Sequence, residues 1–391
     1  MPWPFGRKTA VAVTARSEDA SKSATARFAF KLFRELSRGE AAANLFFSPS
    51  SVMLCLRLVH ELASAETRRQ MAQVLEIASL DEAGREREIA SLKAAFGARA
   101  NAEVSFANSL WLSRHAQIAG AMEARLRELY DAELNALDFA APETLSVINA
   151  WVNARTRGRI SRIVSQLSPL AALVAINAVY FKGRWKRPFR KESTEEAPFR
   201  TASGSISHPP MMAQGGTYSY FGDRHLQIVT LPYQGGVSMM VVLPAAKSDL
   251  DEFRQNLTAS RLESWTRTSK FREGVVKLPR FKVDCEAGLE NALAALGMDR
   301  AFDRSRAQFE HVHSDQPPVS LDRVLHRAVG EVNEEGTEAA AVTLGEMVCR
   351  SALMAKPPER FHMIVDRPFM IVIRDDATQS VLFMGWVNDP G

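Results

Sequence analysis

The sequence predicts an α+β protein in which helices and sheets share one large core. Three observations carry this expectation. Helical periodicity dominates the chain to about residue 157, and strand patterns dominate after it. A nearly continuous apolar run, Ala171 to Phe181, has the length and the Val/Ile/Tyr/Phe-rich ending of a central strand covered on both faces. No long linker and no internal repeat divides the 391 residues, so one domain over residues 21–391 is expected, although the length would suit two or three.

In chain order, residues 1–20 read as an N-terminal arm. A helix follows, with Phe28, Leu32, Phe33 and Leu36 on one stripe and Gly39 placed to end it. Asn44 to Ser51 is turn-rich, and Ser50 or Ser51 can cap the apolar helix after it. Residues 64–75 and 82–97 read as helices, the second through Ile89, Leu92 and Phe96. Val104, Phe106, Asn108 and Leu110 mark a strand, and helices follow over about 118–131 and 145–157, the latter with Ile148, Trp151 and Val152 inward. Asn177, a polar residue inside the apolar run, must find buried partners. The second half reads as strands at 216–220, 226–231, 238–243, 275–282, 363–373 and 380–387, with one helix at about 286–296 ended by Gly297.

Composition narrows the function classes. The chain is 46% apolar and 24% charged, which suits a large core and argues against disorder. Its 49 basic and 45 acidic residues leave a net charge of +4, too slight for a dedicated nucleic-acid surface. No stretch approaches the roughly 20 apolar residues that cross a bilayer, so a soluble chain with no membrane partner is expected. The first residues lack a convincing apolar leader. The compartment stays open: secreted or periplasmic if a leader was removed, otherwise cytoplasmic. Three cysteines form neither a paired framework nor a metal cluster, and Cys55, in an apolar run, reads as a buried small residue. No cofactor loop or metal site stands out, and no cofactor is expected. Arg68 and Arg69 are adjacent without an extended basic cluster, so polyanion activation gains no support. Asn256-Leu-Thr258 is a glycosylation-like sequon whose use depends on a secretory route. The lean cysteine usage is compatible with a prokaryotic source.

One segment does not read as a core element. Residues 331–350 run EVNEEGTEAAAVTLGEMVCR. Helix propensity suggests a turn over Glu338 to Ala341. As a strand, the same stretch would place Thr337, Ala339, Ala341, Thr343, Gly345, Met347 and Cys349 on one face. These small or apolar residues could enter a crowded sheet at little steric cost. On composition alone, an ordinary surface loop with an alanine run is the other reading.

The stretch Glu334-Glu-Gly-Thr-Glu-Ala-Ala-Ala341 resembles the hinge of the reactive-centre loop of the serpins, a family of serine protease inhibitors. Further serpin-like motifs occur in order over roughly 25–390. They include Asn44-Leu-Phe-Phe-Ser-Pro-Ser-Ser51, Ala107-Asn-Ser-Leu-Trp111, Ile148-Asn-Ala-Trp-Val152, Thr156-Arg-Gly-Arg-Ile160 and Asn177-Ala-Val-Tyr-Phe-Lys-Gly-Arg-Trp185. Later ones are Leu231-Pro-Tyr233, Leu278-Pro-Arg-Phe281, His326-Arg-Ala328, Asp366-Arg-Pro-Phe369 and Leu382-Phe-Met-Gly385. The resemblance implies three β-sheets, about eight to nine helices and an exposed reactive-centre loop over about 334–358. It also implies a mechanism: the protease attacks a bait bond, and at the acyl-enzyme stage the cleaved loop inserts into the main sheet and deforms the attached protease.

Carried over residue by residue, the hinge covers Glu334, Glu335, Gly336, Thr337, Glu338, Ala339, Ala340 and Ala341. Family spacing from Glu334 places the bait at Arg350 and the reactive bond at Arg350–Ser351, with Met347, Val348 and Cys349 as neighbouring subsites. An arginine suits a deep specificity pocket with a carboxylate at its base, so the expected partner is a trypsin-like serine protease bound as a covalent acyl-enzyme by a monomer. A shifted register, with cleavage after Met347 or Cys349, points to other proteases, and Arg360 is a distant basic alternative. Cys349 either restricts a subsite, makes inhibition sensitive to thiol oxidation, or is a tolerated small apolar residue. Ser48, Ser51, Asn177 and His326 match the shutter under the opening sheet. Lys182, Gly183 and Trp185 match the breach where the loop enters. No nucleophile elbow surrounds Ser48, and no enzymatic activity is expected. The chain departs from the family at Leu62-Ala-Ser-Ala-Glu-Thr67, where glycines are usual, and at Val342, where alanine is usual. Against inhibition stand a non-inhibitory binding or chaperone-like serpin and one cleaved as substrate only. The hinge Thr337 to Thr343 holds no proline, which favours inhibition.

Overall fold

The computed structural model describes residues 24–38, 43–97, 102–316, 318–335 and 360–391. Helix α1 runs through residues 24–36, and strand β1 covers Leu45–Phe47. Helices α2 (Pro49–Leu62), α3 (Ala65–Val74) and α4 (Glu82–Phe96) follow, then β2 (Ala102–Ser113), β3 (Ala116–Ile118), α5 (Gly120–Tyr130), β4 (Glu133–Leu137), α6 (Thr144–Arg155) and β5 (Leu173–Gly183). Short strands β6 (Glu195–Glu196), β7 (Phe199–Arg200) and β8 (Ile206–Ser207) lead to β9 (Pro210–Gly222), β10 (Leu226–Pro232) and β11 (Val237–Pro244). After α7 (Leu250–Gln255) and α8 (Ala259–Thr268) come β12 (Lys270–Pro279), β13 (Phe281–Gly288), α9 (Glu290–Leu293), β14 (Val312–Ser314) and β15 (Leu321–Val332). The chain closes with β16 (Phe361–Ile364), β17 (Phe369–Asp375) and β18 (Val381–Val387). The α+β class and the helix number agree with the sequence expectation.

Among the described residues the strands form four sheets where three were expected. A nine-stranded sheet has the order β1-β18-β17-β11-β10-β9-β12-β16, with β6 also on β9. It is continuous because β9 pairs with β10 at its C-terminal end and with β12 along most of its length. The second large sheet has five strands in the order β13-β15-β5-β2-β4, and two two-stranded ladders pair β14 with β3 and β7 with β8.

Strand β5 lies in the middle of the five-stranded sheet because its sequence can bury both faces. Leu173, Ala175, Val179 and Phe181 join the main core with the helices and the nine-stranded sheet. Val174, Ile176, Ala178 and Tyr180 join a second cluster, which Ile148 and Val152 of α6 cover. Each large side chain so buried contributes about 1.5–3 kcal/mol. Helix α2 is buried along its whole length and packs on β2, β5 and β18.

Several local readings are corrected. Ser48 caps α2, not Ser50 or Ser51: its side chain accepts from the Ser51 N–H, and Pro49 follows at the first turn. The single strand read at 275–282 is two strands in two different sheets, and Arg280 stands at the crossing. Its apolar pattern runs on because both strands are half-buried. The strand read at 363–373 is β16 and β17, interrupted before Pro368. The helix read from 286 begins at Glu290, since β13 continues to Gly288. Gly297, at φ 109°, does end that helical stretch. Trp151 faces inward as expected but only half-buried, packing on the second cluster with its ring edge-on to Trp111 at 5.8 Å. The N-terminal arm lies outside the described residues.

Candidate functional site

The candidate site is the seam between β5 and β15. These two strands are parallel, in register from Leu321 opposite Leu173 to Gly330 opposite Phe181. Their outer neighbours, β2 and β13, are antiparallel to them. A chain that leaves β15 at Val332 and turns back along the seam would run antiparallel to both strands, the orientation with the better hydrogen-bond geometry on each side. A strand laid between them would thus be antiparallel on both sides, and polar groups tie the seam together along that line.

At the centre, cross-strand register brings Asn108, Asn177 and His326 into line on β2, β5 and β15. The expected set Ser48, Ser51, Asn177 and His326 is assembled here, all of it buried. The Ser48 N–H donates to His326 Nε2 at 3.1 Å. That nitrogen must accept, so the proton sits on Nδ1, which donates to Asn177 Oδ1 at 2.6 Å. The Asn177 amide then donates one hydrogen to Ser51 Oγ and the other to Asn108 Oδ1. Ser48 Oγ donates to the Leu382 carbonyl at 2.6 Å, and Ser50 Oγ to that of Val381 at 2.7 Å. This satisfied neutral network ties α2, β18 and three strands of the sheet without burying a charge. It also leaves Ser48 and His326 ill placed as a nucleophile–base pair, because Ser48 Oγ donates to the Leu382 carbonyl and His326 Nε2 accepts from the Ser48 amide. Asn108 is a member that the sequence reading marked only as part of a strand. The signal was the same as for Asn177: a polar residue between Phe106 and Leu110.

Burial lowers the His326 pKa to about 3. Protonation would force a second N–H against the Ser48 amide. The folded value lies below the ordinary 6.5, so this group's stabilisation is complete above about pH 6.5 and is lost as the pH falls towards 3. The slope is about 1.4 kcal/mol per pH unit. Melting the uncleaved protein between pH 7 and pH 4 should show this loss, and His326→Gln should flatten it. An unchanged slope in the variant would remove His326 as the cause.

At the head of the seam, Trp185 is buried, stacks on Tyr233 with ring centroids 4.0 Å apart, and meets Phe189 edge-on at 5.9 Å. Its Nε1 donates to the Asn333 carbonyl at 2.8 Å, which fixes the chain just beyond β15. Gly183 permits the Tyr233 approach, since a Cβ there would meet Tyr233 at 2.7 Å and Phe181 at 2.8 Å. Lys182 is half-buried beside it at the end of β5. Glu334, the first residue of the expected hinge, is buried, and its carbonyl accepts from the Phe189 N–H at 2.8 Å. Its Oε1 accepts from Thr194 Oγ1 at 2.8 Å and from Arg280 Nη2 at 2.5 Å. Burial works to raise the Glu334 pKa, but the Arg280, backbone and Thr194 hydrogen bonds outweigh it and hold the carboxyl below its ordinary value. Glu335 pairs with Lys191. A cavity of about 260 Å³ lies here, lined by Lys191, Arg280, Glu331, Asn333, Glu334 and Glu335. Thr194 and Arg280 are site residues that sequence reading missed. Nothing in the sequence joins Arg280 to a glutamate 54 positions away.

Gly336, Thr337, Glu338, Ala339, Ala340 and Ala341 of the hinge, Met347, Val348 and Cys349, and the bond Arg350–Ser351 lie outside the described residues. Cys55 is buried, which pushes its thiol up to about 12. Among the described residues no group of three or more His, Cys, Asp or Glu is placed to hold a metal, and no helix is long and apolar enough to cross a membrane.

The family profile described as Serpin (serine protease inhibitor) matches residues 23–390. The chain belongs to the serpin family. Serpin B6 of Macaca fascicularis is 34% identical over 386 residues, covering 95% of this chain and all of that protein. The human leukocyte elastase inhibitor is 33% identical over 94% of this serpin and 99% of its own length. An uncharacterized serpin-like protein of Thermococcus kodakarensis is 33% identical over 93% of this chain and 84% of its own. Among solved structures, native protease nexin-1 with heparin superposes with a TM-score of 0.83 at 26% identity, covering 95% of this serpin and 99% of that chain. The thermophilic serpin tengpin in its native state has a TM-score of 0.86 over 100% and 96% at 24% identity, which speaks for the fold. Similarity of this breadth carries the family and not the source organism.

Proposed function

We propose that this serpin is a suicide inhibitor of trypsin-like serine endopeptidases, working as a monomeric single domain. The protease attacks Arg350–Ser351 and forms an ester with Arg350. The freed loop, led by Gly336 and Thr337, then enters the seam between β5 and β15 as a strand antiparallel to both. The observation that carries this reading is the parallel β5–β15 seam with Glu334 clamped at its head by Arg280, Thr194 and the Phe189 amide. In this reading that clamp would lead residues 336 onward to the entry point. Thr337, Ala339, Ala341 and Thr343 would face inward, towards α2 and the main core, and they are small enough to enter there. Arg350 supplies the charge-assisted, bidentate recognition that a trypsin-like pocket requires.

Loop insertion has a thermal signature. An exposed segment that becomes a central strand gains a full set of ladder hydrogen bonds and buried side chains, so cleavage should stabilise the protein. Melting should be compared before and after limited cleavage in the loop by a non-target protease. The reading expects the cleaved form to melt tens of degrees higher, as many residues' worth of stability is gained at roughly 2–4 °C per kcal/mol. An equal or lower melting temperature would contradict it and favour a non-inhibitory serpin.

A further inference from the structure

The seam is tied at a third place, at its far end. The β5–β15 ladder skips one residue there: Leu321 lies opposite Leu173 and Arg323 opposite Val174, which leaves Asp322 without a partner on β5. Its carboxylate takes the place of the missing backbone acceptor. Asp322 Oδ2 accepts from the Ala172 N–H at 2.6 Å and from the Leu173 N–H at 3.2 Å. One charged oxygen thus holds the first amides of β5 against the start of β15, and hydrogen bonds to an ionised acceptor are the stronger kind.

We propose that Asp322 is a clasp that sets how readily the far end of the seam opens, and so a positioning residue for loop insertion. The proposal rests on the insertion reading above. Fifteen residues, 336–350, extend about 50 Å at about 3.3 Å each, against about 40 Å for the twelve residues of β15. A strand entering at the Trp185 end therefore reaches Asp322 last and must displace its bonds to insert fully. The clasp belongs to the uncleaved state alone.

The experiment compares Asp322→Ala and Asp322→Asn with the parent chain. The asparagine variant keeps size and one acceptor oxygen, so it carries the test if the alanine variant fails to fold. Amide hydrogen exchange over 172–176 and 323–326 in the uncleaved protein should rise about tenfold in Asp322→Ala and less in Asp322→Asn. The uncleaved variants should melt lower, while their loop-cleaved forms melt with the cleaved parent. The number of inhibitor molecules consumed per trypsin inhibited should fall, because insertion finishes sooner. Unchanged exchange at the seam, or an equal loss of melting temperature in uncleaved and cleaved forms, would overturn the proposal. A parent chain that gains no stability on cleavage would instead sink the insertion reading, and the exchange data would still decide whether Asp322 holds the seam.

Discussion

Arg350→Ala should slow the inhibition of trypsin by roughly 10³-fold or more. A trypsin-like pocket presents a buried carboxylate to the bait side chain. An alanine leaves that carboxylate without a partner, and sites built around a specific polar contact reject analogues lacking it by large factors. The loss should appear in the association step, since in this reading residue 350 fills the protease pocket before the loop enters the seam. The variant should therefore keep the melting behaviour of the parent, both uncleaved and after cleavage elsewhere in the loop. Arg350→Lys should retain a measurable part of the rate, because the charge persists while the planar fork is lost. Inhibition of trypsin by Arg350→Ala at the parental rate would move the reactive bond elsewhere in the segment, with Met347, Cys349 and Arg360 the positions to test next.

Ala341→Arg should turn the inhibitor into a substrate. In the proposed inserted strand residue 341 would face the core side, together with Thr337, Ala339 and Thr343. An arginine there would carry a charge beneath a sheet whose centre is the neutral Ser48–Asn177–His326 network, which holds no carboxylate to pair with it. Burying an unpaired charge costs several kcal/mol, and 4 kcal/mol is already about a thousandfold in rate. Deacylation then outruns insertion, trypsin is released, and catalytic amounts of it clip the whole population. Arginine at the adjacent outward position, Ala340→Arg, should leave inhibition largely intact. The check is the ratio of inhibitor consumed to trypsin inhibited, measured for both variants. Equal behaviour of the pair would contradict the assignment of faces.

The fold was legible where the chemistry is local. The Phe28–Leu36 stripe, the apolar run ending at Phe181 and the glycine at 297 each act through their own neighbours, and each lies where its pattern indicates. Strand β15 was not read as a strand, although it forms one wall of the site. Asp322, Arg323, His326, Arg327 and Glu331 interrupt its apolar pattern, and their partners are distant in sequence: Glu290 for Arg323, Asp284 for Arg327, Asn177 for His326. Such residues look solvent-exposed until the sheet brings the partners in. Helices α7 and α8 were missed too, being short and strongly polar. The strand break at Arg280 was hidden because burial continues on both sides of it. At the site itself Asn177 stands out as a misfit in an apolar run, Ser48, Ser51 and His326 follow from the family resemblance, and Asn108 went unmarked, whereas the Arg280–Glu334 clamp and the Asp322 clasp depend on the sheet's register.

The most direct test mixes the protein in slight molar excess with trypsin and resolves the products by denaturing electrophoresis, with mass spectrometry of the released peptide. The mechanism predicts a covalent band near the summed masses, trypsin activity abolished, and a C-terminal peptide that begins at Ser351. Complete clipping of the chain with no covalent band and full residual trypsin activity would contradict it.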